Sequence, residues 1–341
     1  MKFNIFNKMM MAAALALCLA ACEDEEDTTV SPSLDGTLDF AVPQYIAQDT
    51  VLTFTPQGLS HPDGKDILYT WKVSPVMSES DTSEVADGSF TFEFGDSLGT
   101  YSISCYAYAK GYASSSWTQA TTMVKGGLNG SITGTGINAS DLKITVDGID
   151  YYYVEHNGLY WFRNNLANSS AGIPFENYEV TSDVFGRFYS YEEAMNACPE
   201  GWRLPTNADW NSLAAAIGAD VPSENIGQIG NIAAKIMGNV YFNENAMWSY
   251  SKIVGEITNI SGMAVIPAGF VNLGTPGSDG QYPEAIFTGY KKYAAFWTMD
   301  EVEDNPSLAY YRLLIDNQAY LATSKGVKTS FGASVRCVKE K

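Results

Sequence analysis

The chain has 341 residues, of which 45% are hydrophobic, 13% aromatic and 17% charged, and its formal net charge is −19. This acidity argues against nucleic acids as partners, because phosphate backbones are held by lysine and arginine. Neutral ligands remain compatible. At about 150 residues per domain, the length fits two domains after the N-terminal segment.

The first residues have the architecture of a secretory signal. Two lysines precede an apolar run over residues 9–19, and small residues stand directly before Cys22. The apolar run is shorter than the roughly 20 residues of a membrane-spanning helix. The sequence "LAAC" resembles a bacterial lipobox, which implies a lipoprotein signal peptide over residues 1–21 and lipidation of Cys22. An ordinary signal peptide with an incidental cysteine is the alternative.

The segment after the signal, residues 22–32, contains five consecutive acidic residues followed by Thr, Ser and Pro. Such a composition does not collapse and predicts an acidic tether. It resembles the export signal of surface lipoproteins in gut-commensal-type Gram-negative bacteria. The resemblance implies a protein anchored to the outer membrane by lipid only and exposed on the cell surface. A plain spacer that leaves the protein on the periplasmic side is the alternative.

Residues 33–125 are predicted to form an all-β sandwich. Short runs rich in β-branched and aromatic residues alternate with turn clusters such as "HPDGKD" and "GDSLG". The stretches "HPDGKDILYTWKV" and "DSLGTYSISCYAYA" resemble PKD and related immunoglobulin-like modules, which implies that Trp71 packs in the core and Tyr101 opens a late strand. Asp63 and Asp66 are better explained by a turn than by calcium, which needs about six to eight oxygen ligands.

The cysteines indicate an oxidising compartment. Besides the cysteine of the signal peptide and Cys22, the chain has Cys105, Cys198 and Cys337, which favours one disulfide and one buried thiol. Cys105 alternates with apolar residues along a predicted strand and is expected to be buried and unreactive. With no CxxC pair and only two histidines, the chain is poorly supplied for a zinc site or a histidine-dependent triad.

Residues 126–140 are glycine-rich and are predicted to be a flexible linker. The domain that follows, residues 141–341, mixes strands and helices. Its opening reads as hairpins with turns at Asp147-Gly148 and Asn157-Gly158. Two helices are predicted to begin at capping boxes, Ser190 with Glu193 and Thr206 with Asp209. A third helix is predicted near residues 226–237.

One stretch of the second domain carries a specific resemblance. The run "NACPEGWRLPTNADW", followed by "GMAVIPAGF", "YAAFWTMD" and terminal "SVRCVKEK", is similar to the FISUMP family, or major paralogous domain. The resemblance covers about residues 151–341. It implies a C-type-lectin-like α+β fold and a disulfide between Cys198 and Cys337. Arg203, within the run, is expected to bond a carbonyl or a carboxylate rather than a ligand.

Catalysis is not indicated. Formylglycine-generating relatives of the implied fold bind copper through a cysteine pair, whereas the resemblance commits this domain's cysteines to a structural disulfide. The sequence contains no GxSxG, HExxH, phosphate-cradling glycine loop or dinucleotide fingerprint. Carboxylates are abundant, but nothing singles out the pair that a glycosidase needs. We therefore predict a protein that is not an enzyme.

Lectin-like folds hold ligands in long loops, which here fall between about residues 239 and 293. Neutral glycans stack on Trp and Tyr, and their hydroxyls bond to Asp, Glu and Lys. Core packing is the alternative for each aromatic side chain taken singly, and Trp297, in a predicted strand, is expected to be core. The candidate ligand-binding residues are Trp248, Tyr250, Asp279, Tyr282, Glu284, Tyr290 and Lys291.

No cofactor is predicted. Calcium-dependent lectins pair a Glu-Pro-Asn-like tripeptide with Trp-Asn-Asp, whereas this sequence offers "EDNP" and lacks Trp-Asn-Asp. A structural calcium ion therefore has no support. The resulting hypothesis is a surface lipoprotein that binds polysaccharide or oligosaccharide, beside an outer-membrane importer of a polysaccharide-utilisation system. A structural or adhesive module that binds a protein or a host surface is the alternative.

Overall fold

The computed structural model describes residues 31–75, 84–85, 88–168, 170–278 and 282–341. The predicted signal peptide, the lipidation of Cys22 and nearly all of the predicted tether fall outside these residues. The described chain is mostly β, and its helices lie in the C-terminal part, residues 125–341. Within the described ranges, no helix has both the length and the apolar character needed to cross a bilayer.

The N-terminal part, residues 31–124, is built from strands. They are β1 (Asp35–Asp39), β2 (Tyr45–Ala47), β3 (Val51–Phe54), β4 (Gln57–Ser60), β5 (Leu68–Ser74), β6 (Glu84–Val85), β7 (Phe90–Glu93), β8 (Gly99–Tyr108) and β9 (Ser115–Val124). One sheet has the order β2-β9-β8-β5-β6, with β2 parallel to β9. Two further antiparallel pairs join β1 to β4 and β3 to β7.

The core of the N-terminal part is aromatic. Trp71 of β5 is fully buried and stacks on Phe54 of β3, with 5.8 Å between ring centroids. Its indole nitrogen donates to the Gly88 carbonyl at 2.9 Å, as a buried tryptophan requires. Tyr101 is also buried. Cys105 is a buried free thiol in the same cluster, so its predicted packing role is confirmed.

The C-terminal part contains shorter strands and four α-helices in its described residues. The strands are β10 (Ile132–Thr133), β11 (Lys143–Val146), β12 (Ile149–His156), β13 (Leu159–Phe162), β14 (Ile173–Pro174), β15 (Arg187–Phe188), β16 (Tyr241–Phe242), β17 (Asn245–Ala246), β18 (Phe270–Asn272), β19 (Ile286–Thr288), β20 (Tyr293–Glu301), β21 (Leu308–Ile315), β22 (Leu321–Val327), β23 (Phe331–Gly332) and β24 (Val338–Glu340). The helices are α1 (Ser182–Phe185), α2 (Tyr191–Ala197), α3 (Asn207–Ala216) and α4 (Ala233–Ile236). The largest sheets have the orders β11-β12-β13-β24 and β20-β21-β22.

Both predicted hairpin turns are present. Asp147 and Gly148 join β11 to β12 with φ of 51° and 82°, and Asn157 and Gly158 join β12 to β13 with φ of 50° and 79°. Two successive residues with positive φ match the right-handed twist of the flanking strands, and Asn, Asp and Gly tolerate that conformation best. The hairpins therefore fix the register of the first three strands of their sheet.

The predicted capping boxes are both formed. Ser190 and Glu193 cap α2 reciprocally, and Thr206 and Asp209 cap α3 in the same way. The helix predicted over residues 226–237 is wrong in extent, because only α4 is helical. Ile229 instead forms a β-bridge to Leu321. This bridge holds the backbone at Ile229 in an extended conformation, so the helix begins only at Ala233.

The predicted disulfide is present. Cys198 at the end of α2 bonds to Cys337 just before β24, across 139 residues of sequence. A closed loop of this length stabilises the fold by about 4–5 kcal/mol in the chain-entropy model. Arg203 pairs with Asp209 at 2.6 Å and with Glu340 at 3.1 Å, so it bonds carboxylates as predicted. Trp297 is fully buried, which confirms its place in the core.

Aromatic side chains join the two parts of the chain. Tyr45 of β2 is buried against Phe175 and Tyr178 of the C-terminal part, with centroid distances of 6.0 and 5.6 Å. The Tyr178 hydroxyl accepts a hydrogen bond from the backbone N–H of Gln44 at 3.0 Å. The described interface is thus apolar at its centre and hydrogen-bonded beside it.

The glycine-rich segment, residues 126–140, packs against the C-terminal part. Its strand β10 pairs with β16. A Cβ atom on Gly126 would lie 2.2 Å from that of Asp183, and one on Gly134 would lie 2.2 Å from the Asn239 carbonyl oxygen. At these two positions glycine is needed because the backbone lies too close to its neighbours for a side chain. The sequence had instead suggested that the glycines make this segment flexible.

Candidate functional site

Trp248, the first of the predicted ligand-binding residues, is a core residue. Its side chain is 7% exposed, and its indole nitrogen donates to the Val265 carbonyl at 3.0 Å. It belongs to the main hydrophobic cluster of the C-terminal part. For Trp248 the alternative of core packing therefore applies, because a buried carbonyl satisfies the indole and lets the large apolar surface leave water.

Tyr290 and Lys291 lie between β19 and β20. The Tyr290 ring packs on Phe175 and Phe185 at centroid distances of 5.0 and 5.5 Å, and burial raises the pKa of its phenol. The Lys291 ammonium lies 5.7 Å from the centroid of the Tyr290 ring. Tyr290 is therefore engaged mainly in packing.

The other predicted residues are scattered. Tyr282 is half-buried beside Ser190 and Glu193 at the start of α2. Tyr250 is 82% exposed, and Glu284 is exposed. Asp279 lies outside the described residues. Apart from Lys291 over Tyr290, no hydrogen bond, ion pair or ring contact of the described chain joins two of these residues, although Trp248, Tyr282 and Tyr290 all pack in or against one hydrophobic cluster.

A cavity of about 330 Å³ lies elsewhere in the C-terminal part. Its walls are the glycine-rich segment, the start of β12, the residues that follow β13, helix α1 and the loop before β18. The volume falls within the range of small-molecule sites, roughly 300–1,000 Å³. This cavity, formed by segments distant in sequence, is the candidate functional site.

Arg163 holds one wall of the cavity together. Its Nε donates to the Gly262 carbonyl at 2.6 Å, Nη1 to the Asp141 carboxylate at 2.5 Å and Nη2 to the Gly136 carbonyl at 3.1 Å. The side chain is 8% exposed, and Asp141 balances its charge. Arg163 therefore fastens the glycine-rich segment beside the cavity and has no nitrogen left unbonded.

Arg336, from the closing "SVRC" run, gives the cavity a second guanidinium. It is fully buried; Nε donates to Asn165 Oδ1 at 2.7 Å, and Nη1 donates to the Met263 and Phe162 carbonyls at 2.8 and 3.1 Å. Within the described chain, no carboxylate pairs with Arg336, and its hydrogen bonds are donated by Nε and Nη1 and not by Nη2. Burial and the nearby charge of Arg163 lower the pKa of Arg336 to about 9, so it stays protonated at neutral pH.

Neutral and acidic groups complete the lining. The Tyr151 hydroxyl accepts from the Ala167 N–H at 3.1 Å and keeps its own hydrogen to donate, and burial raises its pKa to about 12. Asn164 accepts from the Tyr152 N–H, and its amide N–H₂ has no acceptor among the described residues. Asp183 is exposed and its carboxylate accepts no hydrogen bond from the described residues; desolvation by the surrounding protein, with the charge of neighbouring Glu179, raises its pKa.

The lining thus offers N–H and O–H donors together with two carboxylates, Asp183 and Asp150, of which Asp150 is already bonded to Lys143 and Thr145; this combination suits a polar ligand. In the described residues, no group of three or more histidine, cysteine or acidic side chains could hold a metal ion. Sequence reasoning missed Arg336, Asn164 and Asp183. The one available signal was an arginine between the apolar strand residues Val335 and Cys337, a position where a charge needs compensation.

Comparison with known proteins supplies the family. The family model described as the Fibrobacter succinogenes major domain matches residues 154–339. No curated protein matches the chain. A solved structure described among the carbohydrate-binding modules of the β-sandwich superfamily is 13% identical, covers 91% of this chain and 94% of its own, and has a TM-score of 0.28. That likeness is too low to inform fold or ligand. On the match over residues 154–339, which spans the "CPEGWRLPT" run and the closing "RCV", this chain belongs to the Fibrobacter succinogenes major domain family, FISUMP.

Proposed function

We propose that this protein is a lipid-anchored outer-membrane surface protein that binds an extracellular polysaccharide or oligosaccharide without transforming it. The cavity carries the proposal, because Tyr151 and Asn164 offer donors and Asp183 an acceptor around about 330 Å³ of space. Sugar hydroxyls both donate and accept hydrogen bonds, so they can satisfy all three groups at once. An outer-membrane importer beside the protein belongs to the same proposal.

The finer architecture is also a proposal. We propose an immunoglobulin-like sandwich over residues 33–125 and a C-type-lectin-like α+β domain over residues 141–341. One hydrophobic cluster supports the division, since all its buried members lie within residues 38–123, while Tyr45 and Val124 belong to the main cluster of the C-terminal part and mark where the two domains meet. The N-terminal domain then acts as a spacer that holds the cavity away from the membrane.

Affinity electrophoresis and calorimetry against a polysaccharide panel test the glycan proposal. We expect at least one glycan to bind the full chain, and the Leu128→Trp variant to lose binding because the indole fills the cavity that Leu128 lines. Ile286→Trp adds similar bulk on exposed β19 and is expected to bind normally. Absence of binding to every glycan, or binding that Leu128→Trp leaves unchanged, contradicts the cavity as a glycan site.

A second candidate function, adhesion to a protein or host surface, is favoured by a different observation. The loop between β17 and β18 exposes Tyr250, Ile253 and Ile260 by 82%, 64% and 67%. Exposed apolar groups of this kind mark interaction surfaces. A Tyr250→Ala, Ile253→Ala double variant that loses binding to host-derived protein, while no glycan binds the wild type, would favour adhesion.

A further inference from the structure

We infer that the cavity recognises an acidic sugar, through a salt bridge from Arg336 to the ligand's carboxylate. The inference rests on the proposed glycan-binding function and specifies its substrate class. Arg336 is the one guanidinium of the cavity lining in the described chain that lacks a carboxylate partner. Because the Arg336 side chain is 0% exposed, bulk water does not take the place of the missing carboxylate.

A buried cation without a counter-ion is unfavourable, because burial strips its hydration. Here three neutral oxygens and the face of the Phe296 ring, 5.5 Å from the guanidinium carbon, replace water around Arg336, and no negative charge does so within the described chain. Three hydrogen bonds from Nε and Nη1 orient the guanidinium. The remaining amino group, Nη2, is left for a ligand. An arginine fixed in this way is pre-organised for a carboxylate, and charge-assisted bonds of this kind are among the strongest in proteins.

The other charged groups of the cavity lining indicate which kind of anion fits. Asp183, which is exposed, adds a negative charge to the same cavity and accepts no hydrogen bond from the described chain, beside Asp150, which is paired with Lys143, and the exposed ammonium of Lys125. A phosphate or sulfate dianion would meet Asp183 with repulsion and would leave it without a donor. A uronic acid carries one carboxylate for Arg336 and several hydroxyls that can donate to Asp183, so it satisfies both.

The overall charge of −19 opposes the approach of any polyanion. Long-range attraction therefore cannot bring an acidic glycan to this chain, and recognition must come from groups inside the cavity. This distinguishes the proposal from non-specific charge binding, which would weaken steeply with salt. Binding to the cavity is expected to hold or strengthen as salt screens the repulsion.

The test compares matched pairs of ligands. Oligomers of galacturonate, glucuronate and guluronate, each beside its carboxyl-reduced neutral form, are titrated into the full chain by calorimetry at low and physiological salt. We expect at least one uronate to bind about ten- to a hundredfold more tightly than its reduced counterpart, the effect of losing a hydrogen bond to a charged group. Inorganic sulfate and phosphate are expected not to compete.

Two variants locate the binding. Leu128→Trp is expected to abolish uronate binding, and Ile286→Trp to retain it. Arg336→Lys is expected to remove the preference for the acid over the reduced sugar; if it fails to fold, Leu128→Trp still decides the site. Equal binding of acid and reduced forms overturns the inference and leaves glycan binding intact. Binding of neither form refutes both proposals. Uronate binding untouched by Leu128→Trp places the site elsewhere and overturns the inference.

Discussion

At the scale of single residues, two buried arginines show how context sets a role. Arg312 and Arg336 are both fully buried, and neither has an ion-pair partner among the described residues. Arg312 spends both Nη atoms, bonding the Gly227 and Asn225 carbonyls at 2.8 Å each and Thr323 Oγ1 at 2.6 Å. Arg312 is thus a structural clamp whose one unbonded nitrogen, Nε, is buried, whereas the unbonded nitrogen of Arg336 is Nη2, in a side chain that lines a cavity.

Cys105 is a residue whose inertness can be tested. Burial raises the pKa of its thiol to about 12, so almost no thiolate forms in the folded protein at pH 8. We expect iodoacetamide to leave Cys105 unmodified in native protein and to label it fully in denaturant, as read by mass mapping of the peptide that contains it. Native labelling at the rate of an exposed thiol would contradict the burial.

At the scale of elements, local signals predicted structure well and distant contacts did not. The capping boxes of α2 and α3 and the turns of β11-β12-β13 involve residues within four positions of one another, so sequence shows them directly. The overextended third helix failed because the Ile229–Leu321 bridge comes from a strand some ninety residues later. The cavity escaped prediction for the same reason, since six separated segments must fold before Arg336 and Asp183 line the same space.

The cap of α3 gives a prediction about pH. Although burial opposes it, hydrogen bonds from Arg203 and from Thr206 lower the pKa of Asp209. A carboxyl with a lowered folded pKa stabilises above its unfolded pKa of about 3.9, and that stability is lost as the pH falls through the folded value. Asp209→Asn should therefore reduce the free energy of unfolding by about 1–2 kcal/mol at pH 7.

The measurement is denaturant unfolding at pH 7 and at pH 2–3 for the wild type and the variant. The difference between them should shrink at the lower pH, because protonation of Asp209 removes the charge that distinguishes it from asparagine. Because Arg203 is partly exposed, its share of the stabilisation is discounted for solvent screening. Asp304→Asn, a change at an exposed aspartate, is the control and should leave unfolding unchanged at both pH values. A pH-independent effect of Asp209→Asn would exclude the carboxylate as its cause.

At the scale of the whole molecule, the aromatic contact at Tyr45 couples the two parts of the chain. Composition and turn signals placed the strands of the N-terminal part, but nothing in the sequence showed that β2 would pack on Phe175 and Tyr178. Tyr45 lies in a strand of only three residues, and nothing in that short sequence indicates which residues its ring contacts. The family motifs likewise identified the C-terminal part without locating its cavity.

Tyr45→Ala tests this coupling. Removing a buried aromatic ring typically costs about 3–5 kcal/mol, and here the loss falls on contacts between the two parts. We expect the calorimetric unfolding transition to broaden or split in Tyr45→Ala, because each part then unfolds more independently. Tyr106→Ala removes a ring that is 45% exposed on β8 and should leave the transition unchanged. Identical transitions in both variants would show that Tyr45 does not couple the parts.

The position of β24 constrains the order in which the chain can fold during synthesis. β24 completes the sheet by pairing with β13 on one edge and bridging to Arg203 on the other. A ribosome must therefore synthesise the chain through residue 340 before β13 gains its outer neighbour. Until then the nascent β11-β12-β13 meander has an open edge, the kind of surface that invites mispairing between chains. Slow or stalled translation near residue 330 should accordingly favour aggregation.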